Sequence, residues 1–301
     1  FSSTPLSISG LAGITAIAAG DNHGLAVKSD TSVWAWGGAD WGALGDGSTE
    51  FGVVLTPVQV VDQADDPLTG ITQVDAGTWF SLARKSDGTV WSWGANESGQ
   101  LGDGSNDYRK SARLVSGLTN ITHVAAGGQH ALARRDDGTV WAWGLNSSGQ
   151  LGINNNTTSN VPLQVLDPTD LTGKLTDVIA IGAGKDTSFA IKSDGTAWGW
   201  GNNYAAQIGV GEDPANKLVP VQILFTDKSN PMFELLGPYF ITPGEAVHYV
   251  VRYKNVANEI LDDTIIAVGL PPTMEYKSSG SDGIYWNDKH QVFWKLGELE
   301  P

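Results

Sequence analysis

The sequence has no cysteine and only 2 methionines, and its 18 lysines and arginines face 33 aspartates and glutamates. Without cysteine there is no disulfide, no thiol nucleophile and no thiolate metal site, so stability has to come from packing. A formal charge of -15 repels phosphate backbones, since nucleic-acid affinity rests on Lys and Arg displacing counterions; no nucleic-acid partner is expected. No apolar run approaches the roughly 18 residues of a membrane span, and no basic-then-apolar leader opens the chain. Membrane insertion is therefore not expected. Nor does any stretch sustain a 3.6-residue apolar period. What is abundant is turn and strand material, with 38 Gly, 13 Pro and 12 Trp in 301 residues, which points to an all-β chain.

The chain repeats itself. The segments Val33-Trp-Ala-Trp-Gly37, Val90-Trp-Ser-Trp-Gly94, Val140-Trp-Ala-Trp-Gly144 and Ala197-Trp-Gly-Trp-Gly201 recur at spacings of 57, 50 and 57. Gly20, Gly77, Gly127 and Gly184 keep the same spacings, so two independent markers hold one register. Each unit reads as strand, Gly turn, alternating strand, Asp-Gly turn, Trp-x-Trp strand, Gly-rich turn and closing strand. Four short strands per unit make a propeller blade. Asp-Gly between alternating runs signals a type I′ hairpin with positive φ at both central residues. The surplus of units one and three over unit two, seven residues each, is placed after the closing strand, at Val61 to Gly70 and Leu166 to Thr176.

The paired tryptophans Trp34 and Trp36, Trp91 and Trp93, Trp141 and Trp143, and Trp198 and Trp200 lie two apart and so point the same way from a strand. Strict repetition favours blade-on-blade stacking over a carbohydrate-binding face. Trp41, Trp79, Tyr108 and Tyr204 instead occupy slots filled by polar or small residues in the sister units, which makes them candidates for a binding face.

The run W-x-W-G-x-N-x-x-G-Q-L-G, complete at Trp91 to Gly102 and Trp141 to Gly152, together with A-G-G-Q-H-A-L-A at Ala126 to Ala133, resembles the regulator-of-chromosome-condensation repeat. The resemblance covers about three quarters of the chain and implies a β-propeller. Unit one departs from it, with Asp30-Thr31 in place of Asp-Gly and Trp41-Gly-Ala-Leu-Gly45 in place of S-G-Q-L-G. Four repeats are expected, at 14–70, 71–120, 121–176 and 177–226, preceded at 1–13 by the closing strand of an earlier repeat around Pro5-Leu-Ser-Ile-Ser-Gly-Leu11. That family usually closes a ring of seven, so the four repeats are expected to be an arc of a larger one.

From 227 to 301 the pattern changes to Gly244-Glu-Ala-Val-His-Tyr-Val-Val-Arg-Tyr-Lys-Asn255, then Leu270-Pro, then Val292-Phe-Trp-Lys-Leu-Gly297. This stretch resembles an immunoglobulin-like surface-protein repeat cut one or two strands short. By that resemblance the protein is expected to be extracellular or at the cell surface.

No nucleophile with a base, no carboxylate pair, no phosphate loop and no metal-ligand spacing stands out, so no enzyme activity, cofactor or metal is expected. His23 and His130 share one slot of units one and three, filled by Phe80 and Thr187 elsewhere, and read as packing positions. Sequons stand at Asn96, Asn120, Asn146 and Asn155/Asn156, in a chain rich in Asn, Ser and Thr. The expected function is a binding or structural platform with an immunoglobulin-like spacer, whose partner is a protein or surface polymer, self-assembly included. The alternative is a secreted enzyme inhibitor, since an inhibitor of β-lactamases resembles this propeller.

Overall fold

A computed structural model describes residues 7–49, 51–169, 173–211 and 214–223, and the backbone of five further strands. The chain divides into two compact units, Phe1–Leu224 and Phe225–Pro301.

The first unit holds four antiparallel four-stranded sheets in strict chain order. Blade 1 is β1 (Ile14–Ala19), β2 (His23–Lys28), β3 (Val33–Gly38) and β4 (Val53–Gln59); blade 2 is β5 (Ile71–Ala76), β6 (Phe80–Lys85), β7 (Val90–Gly94) and β8 (Arg109–Leu114). Blade 3 is β9 (Ile121–Ala126), β10 (His130–Arg135), β11 (Val140–Gly144) and β12 (Ser159–Gln164); blade 4 is β13 (Val178–Ala183), β14 (Thr187–Lys192), β15 (Ala197–Gly201) and β16 (Lys217–Gln222). The core lies between blades. Leu25, Val27, Val33 and Leu44 of blade 1 cluster with Ile71, Val74, Ala83 and Trp93 of blade 2, and the next two joints repeat the arrangement. Blades 2 and 3 therefore each bury one face against the blade before and the other against the blade after, which is why both faces of their strands are apolar.

The Asp-Gly turns differ from the sequence expectation. Of Asp87 and Gly88 only Gly88 has a positive φ, 80°, and Gly88 N–H donates to the Lys85 carbonyl at 3.0 Å. This is a type I turn followed by a left-handed residue, not type I′. Asp87 stays right-handed because its carboxylate accepts from the Thr89 N–H (2.9 Å) and hydroxyl (2.6 Å), a bond that caps the turn locally. In blade 1 Thr31 takes the glycine slot at φ 66°, held by its hydroxyl accepting from the Gly70 N–H at 2.9 Å.

Strand direction sorts the loops onto two rims. The β1–β2 turns and β3–β4 loops share one rim, called X; the Asp-Gly turns and the links between blades share the other, Y. The surplus of blade 3 lies in its Y link. Blade 1 puts part of its surplus on rim X instead, because Trp34 pairs with Gln59 across a connection two residues longer than that between Trp91 and Leu114.

Of the expected closing strand at 1–13, residues 1–6 lie outside the described residues, and 7–13 form a turn without strand. In the second unit the described backbone is β17 (Met232–Leu236) paired with β18 (Val250–Lys254), and β21 (Gln291–Lys295) between β19 (Ile265–Gly269) and β20 (Gly283–Trp286). The immunoglobulin-like sandwich expected there is not shown by these two small sheets; the remainder lies outside the described residues.

Candidate functional site on rim X

The β3–β4 loop is built around one buried asparagine in blades 2 and 3. Asn96 is fully buried; its Oδ1 accepts from the Leu101 N–H (2.9 Å) and its Nδ2 donates to the carbonyls of Ser105 and Asp107 (3.0 Å each). Asn146 repeats this with Leu151, Asn155 and Thr157 at 2.9, 2.8 and 3.0 Å. Both sequon asparagines thus have their amides committed inside the loop. The W-G-x-N pattern carried this signal, and reading it as a sequon hid it.

In blade 1 the slot holds Ala39, so the clamp is gone. A longer loop takes over: Ala39 N–H donates to the Gly52 carbonyl (2.8 Å) and Gly52 N–H to Asp40 Oδ1 (2.9 Å). Within it Trp41 sits at φ 60°, a left-handed conformation costly for a side chain with a Cβ. In this conformation the indole is 42% exposed and meets Tyr108 of blade 2 edge to face at 6.3 Å between centroids and 75° between planes. Phe51, from the same loop, is 69% exposed and was missed in the sequence because the extra loop length was assigned to rim Y.

Next to Tyr108 in the chain, Arg109 Nε meets Asp103 Oδ2 at 2.7 Å and Arg109 Nη2 donates to Ser105 Oγ at 2.9 Å. Burial alone would raise the Asp103 carboxyl, but hydrogen bonds from Ser105 and Arg109 outweigh it and hold it below the usual carboxylate range. The ion pair ties the residue that follows Tyr108 back into the same loop.

The four aromatic candidates do not form one site. Trp41 and Tyr108 touch. Trp79, half-buried, lies over Gly38, where a Cβ would come within 2.8 Å of its ring, so it packs blade 2 onto blade 1. Tyr204 projects from the blade 4 loop, 86% exposed. A depression of about 280 Å³ is lined by Asp21, Thr78, Gly128, Gln129, Leu145, Lys185 and Asp186.

The paired tryptophans divide their labour. Trp93, Trp143 and Trp200 are fully buried and donate from Nε1 to the carbonyls of Ala43, Gln100 and Gln150 of the preceding blade at 3.0, 2.9 and 2.9 Å. Trp34, Trp91, Trp141 and Trp198 are half-buried under Lys28, Lys85, Arg135 and Lys192, with the cation 4.1 to 5.5 Å from the ring centre. Trp36, the blade 1 counterpart of the buried set, is only partly buried.

The histidines do more than pack. His23 Nε2 lies 2.8 Å from Ser81 Oγ, and Ser81 donates to the Ala43 carbonyl at 3.2 Å. His130, Ser188 and the Gln150 carbonyl repeat the relay at 2.9 and 2.8 Å. A serine that donates to a carbonyl must accept from the imidazole, so both rings carry the proton on Nε2. Their Nδ1 atoms are buried without a partner. Burial pushes both pKa values down to about 4, against a weak opposing pull from Asp21 on His23. The sequence carried the signal as a correlation: serine follows one blade after histidine, alanine (Ala131) one blade after Phe80.

Among the described residues no group of three His, Asp or Glu is placed to hold a metal. Repeated four-stranded blades locked through Trp-to-loop hydrogen bonds define a β-propeller repeat protein. The family model of the RCC1-like domain matches residues 2–246, and the chain belongs to that family. It is 32% identical to the ultraviolet-B receptor UVR8 of Arabidopsis thaliana over 227 residues, 74% of this chain and 49% of that protein. To the probable E3 ubiquitin-protein ligase HERC6 of Homo sapiens it is 34% identical over 264 residues, 86% of this chain and 19% of that protein. Human WBSCR16 superposes with a TM-score of 0.60 at 27% identity, covering 73% of this chain and 56% of the other. The chain spans at most about half the length of these curated relatives.

Proposed function

We propose that the protein is a non-catalytic protein-binding module whose propeller presents rim X to its partner, with the Trp41–Tyr108 pair as the apolar anchor and Phe51 exposed on the same loop as Trp41. The observation that carries this reading is Trp41 itself, a large aromatic side chain held outward at a strained φ of 60° where blades 2 and 3 have serine. Strain of this kind persists where the surroundings impose it, and it gathers at ligand clamps. Rigid exposed aromatics bordered by polar groups are what anchors at interfaces look like. A relative named as a receptor is consistent with a platform role. We place the protein outside the cell or on its surface, with residues 227–301 as a spacer, on the resemblance of that stretch to surface-protein repeats.

The test is retention of binding proteins from the source organism's envelope and medium by the native protein, compared with Trp41→Ala, Tyr108→Ala and, as control, Tyr204→Ala. Loss of the same partner, at least about 10-fold, with the first two alone is expected. Equal retention by all four proteins would remove the Trp41–Tyr108 pair from the interface.

A further inference from the structure

One slot of the second strand is aliphatic in blades 1 and 4, Val27 and Ile191, and arginine in blades 2 and 3, Arg84 and Arg134. Val27 is 1% exposed, so an arginine in this slot gives up water around its charge, and burial lowers Arg84 from its usual pKa. A third departure stands beside the two arginines. His123 occupies the position of Ala16, Gln73 and Ala180 in the sister strands, directly opposite Arg134 in the β9–β10 ladder. Residues so opposed share a face of the sheet, and like charges there repel. Arg84 is opposite Gln73 in the same way, and Gln73 reaches across to the backbone of Val124, next to His123. Burial, then the charges of Arg134 and Arg84, lower the His123 pKa. Three basic groups from two blades feel one another.

What they lack is a counter-charge. The chain has 33 Asp and Glu for 18 Lys and Arg, yet among the described residues the ion pairs join Arg109 to Asp103 and Arg135 to Asp137, and none reaches Arg84, Arg134 or His123. The one acid in the first two strands of the four blades is Asp75, whose Oδ1 and Oδ2 accept from the Ala76 and Ala126 N–H at 2.9 Å each. The donors are nevertheless in place. Arg134 is fixed by Nε on the Val178 carbonyl (2.5 Å) and Nη1 on Thr122 Oγ1 (2.8 Å), which leaves Nη2 without a partner among the described residues. Arg84 bonds the Lys85 carbonyl through Nη1 (3.3 Å), and its Nε is buried with no partner.

We propose that Arg84, Arg134 and His123 form a binding site for a tetrahedral oxyanion of the phosphate or sulfate type, spanning blades 2 and 3. Two guanidinium forks match the charge and the spread oxygens of a dianion, whereas a carboxylate is satisfied by one fork. The bound anion supplies the charge that both arginines lack and offsets their repulsion of a protonated His123. The site is independent of the Trp41–Tyr108 pair.

Isothermal titration calorimetry of the full chain with sodium phosphate and sodium sulfate, in a chloride buffer at pH 7, tests it. Saturable one-to-one binding of both is expected, with acetate at least ~10-fold weaker. Arg84→Val, Arg134→Ile and His123→Ala each install a sister blade's side chain, and each is expected to weaken phosphate at least ~10-fold. Arg84→Val forfeits a single long bond, so it keeps its melting temperature and decides the question if the other two lose stability. Lys185→Ala removes an exposed cation elsewhere and is expected to leave binding unchanged. Phenyl phosphate separates the sources: binding as tight as phosphate assigns a phosphoryl group on a larger ligand, exclusion assigns the free ion. No saturable binding of either oxyanion by the native chain would overturn the proposal, and so would acetate held as tightly as phosphate. Phosphate affinity untouched in Arg84→Val would show an adventitious ion only and overturn it too.

Discussion

The joint between blades 2 and 3 and the joints on either side of it solve one problem with different chemistry. The outer two place a histidine against a serine, His23 with Ser81 and His130 with Ser188, and draw the serine onto a loop carbonyl. The middle one places Phe80 against Ala131 and has no such relay. It compensates on the inner strands: Gln73 bonds both ways with the Val124 backbone (2.9 and 3.1 Å), and Asp75 Oδ2 accepts from the Ala126 N–H at 2.9 Å. Shape is common to all three joints while polar bonding moves between strands. The repeat therefore fixes the tryptophan-to-loop bond at every joint and leaves these further polar contacts to be settled by each pair of neighbouring blades.

Acid should separate the joints most. The histidines have folded pKa values of about 4 against 6.5 unfolded, so their protonation favours the unfolded chain. Stability is full above about pH 6.5 and falls as pH drops towards 4, by about 3 kcal/mol for each histidine. Asp75 works the other way: burial raises its carboxyl, and the cost of ionising it in the joint is relieved as pH falls through its folded pKa. Urea unfolding at pH 7 and pH 4.5 measures the sum. Importing the middle joint's solution, His130→Phe with Ser188→Ala, is expected to remove about half of the acid loss; an unchanged pH profile would mean that His130 does not titrate as its burial implies.

Next in size, Asn146→Ala should cost about 3 kcal/mol, since it strands the Leu151 N–H and two loop carbonyls in the interior. Asn96→Ala should match it, because the clamp is the same on both sides of the middle joint. Trp143→Phe is expected to cost about 2 kcal/mol through the lost bond to Gln100 and the void left behind, and Trp141→Phe under 1 kcal/mol, as its ring is half in solvent. Thermal unfolding distinguishes them, and equal effects would refute the division of labour within the pair. The smallest effect carries the opposite sign: Trp41→Gly should raise stability by about 1 kcal/mol by relieving the positive φ, while abolishing the exposed anchor.

The blades were legible in the sequence because period and burial say the same thing: Trp-x-Trp and A-G-x repeat wherever a strand is covered on both sides. Turn type was less so. Asp-Gly announces a turn, but whether one or both residues are left-handed depends on the Asp87 carboxylate binding Thr89, a choice among nearly equal local bonds. The aromatic candidates were visible as departures from the repeat, yet a departure has no address. Trp79 departs in order to fill space over Gly38, and Trp41 departs to face outward; only packing tells them apart. Phe51 escaped notice because counting residues between markers cannot say on which rim an insertion lies.

The links on rim Y differ in length, long after blades 1 and 3 and short after blade 2, yet the tryptophan bonds across the three joints are 3.0, 2.9 and 2.9 Å. Spacing on one rim is mechanically uncoupled from alignment on the other. Segments could be lengthened, exchanged or decorated along rim Y while the geometry presented at rim X stays as it is, so a single scaffold has one side free to vary and one side held true.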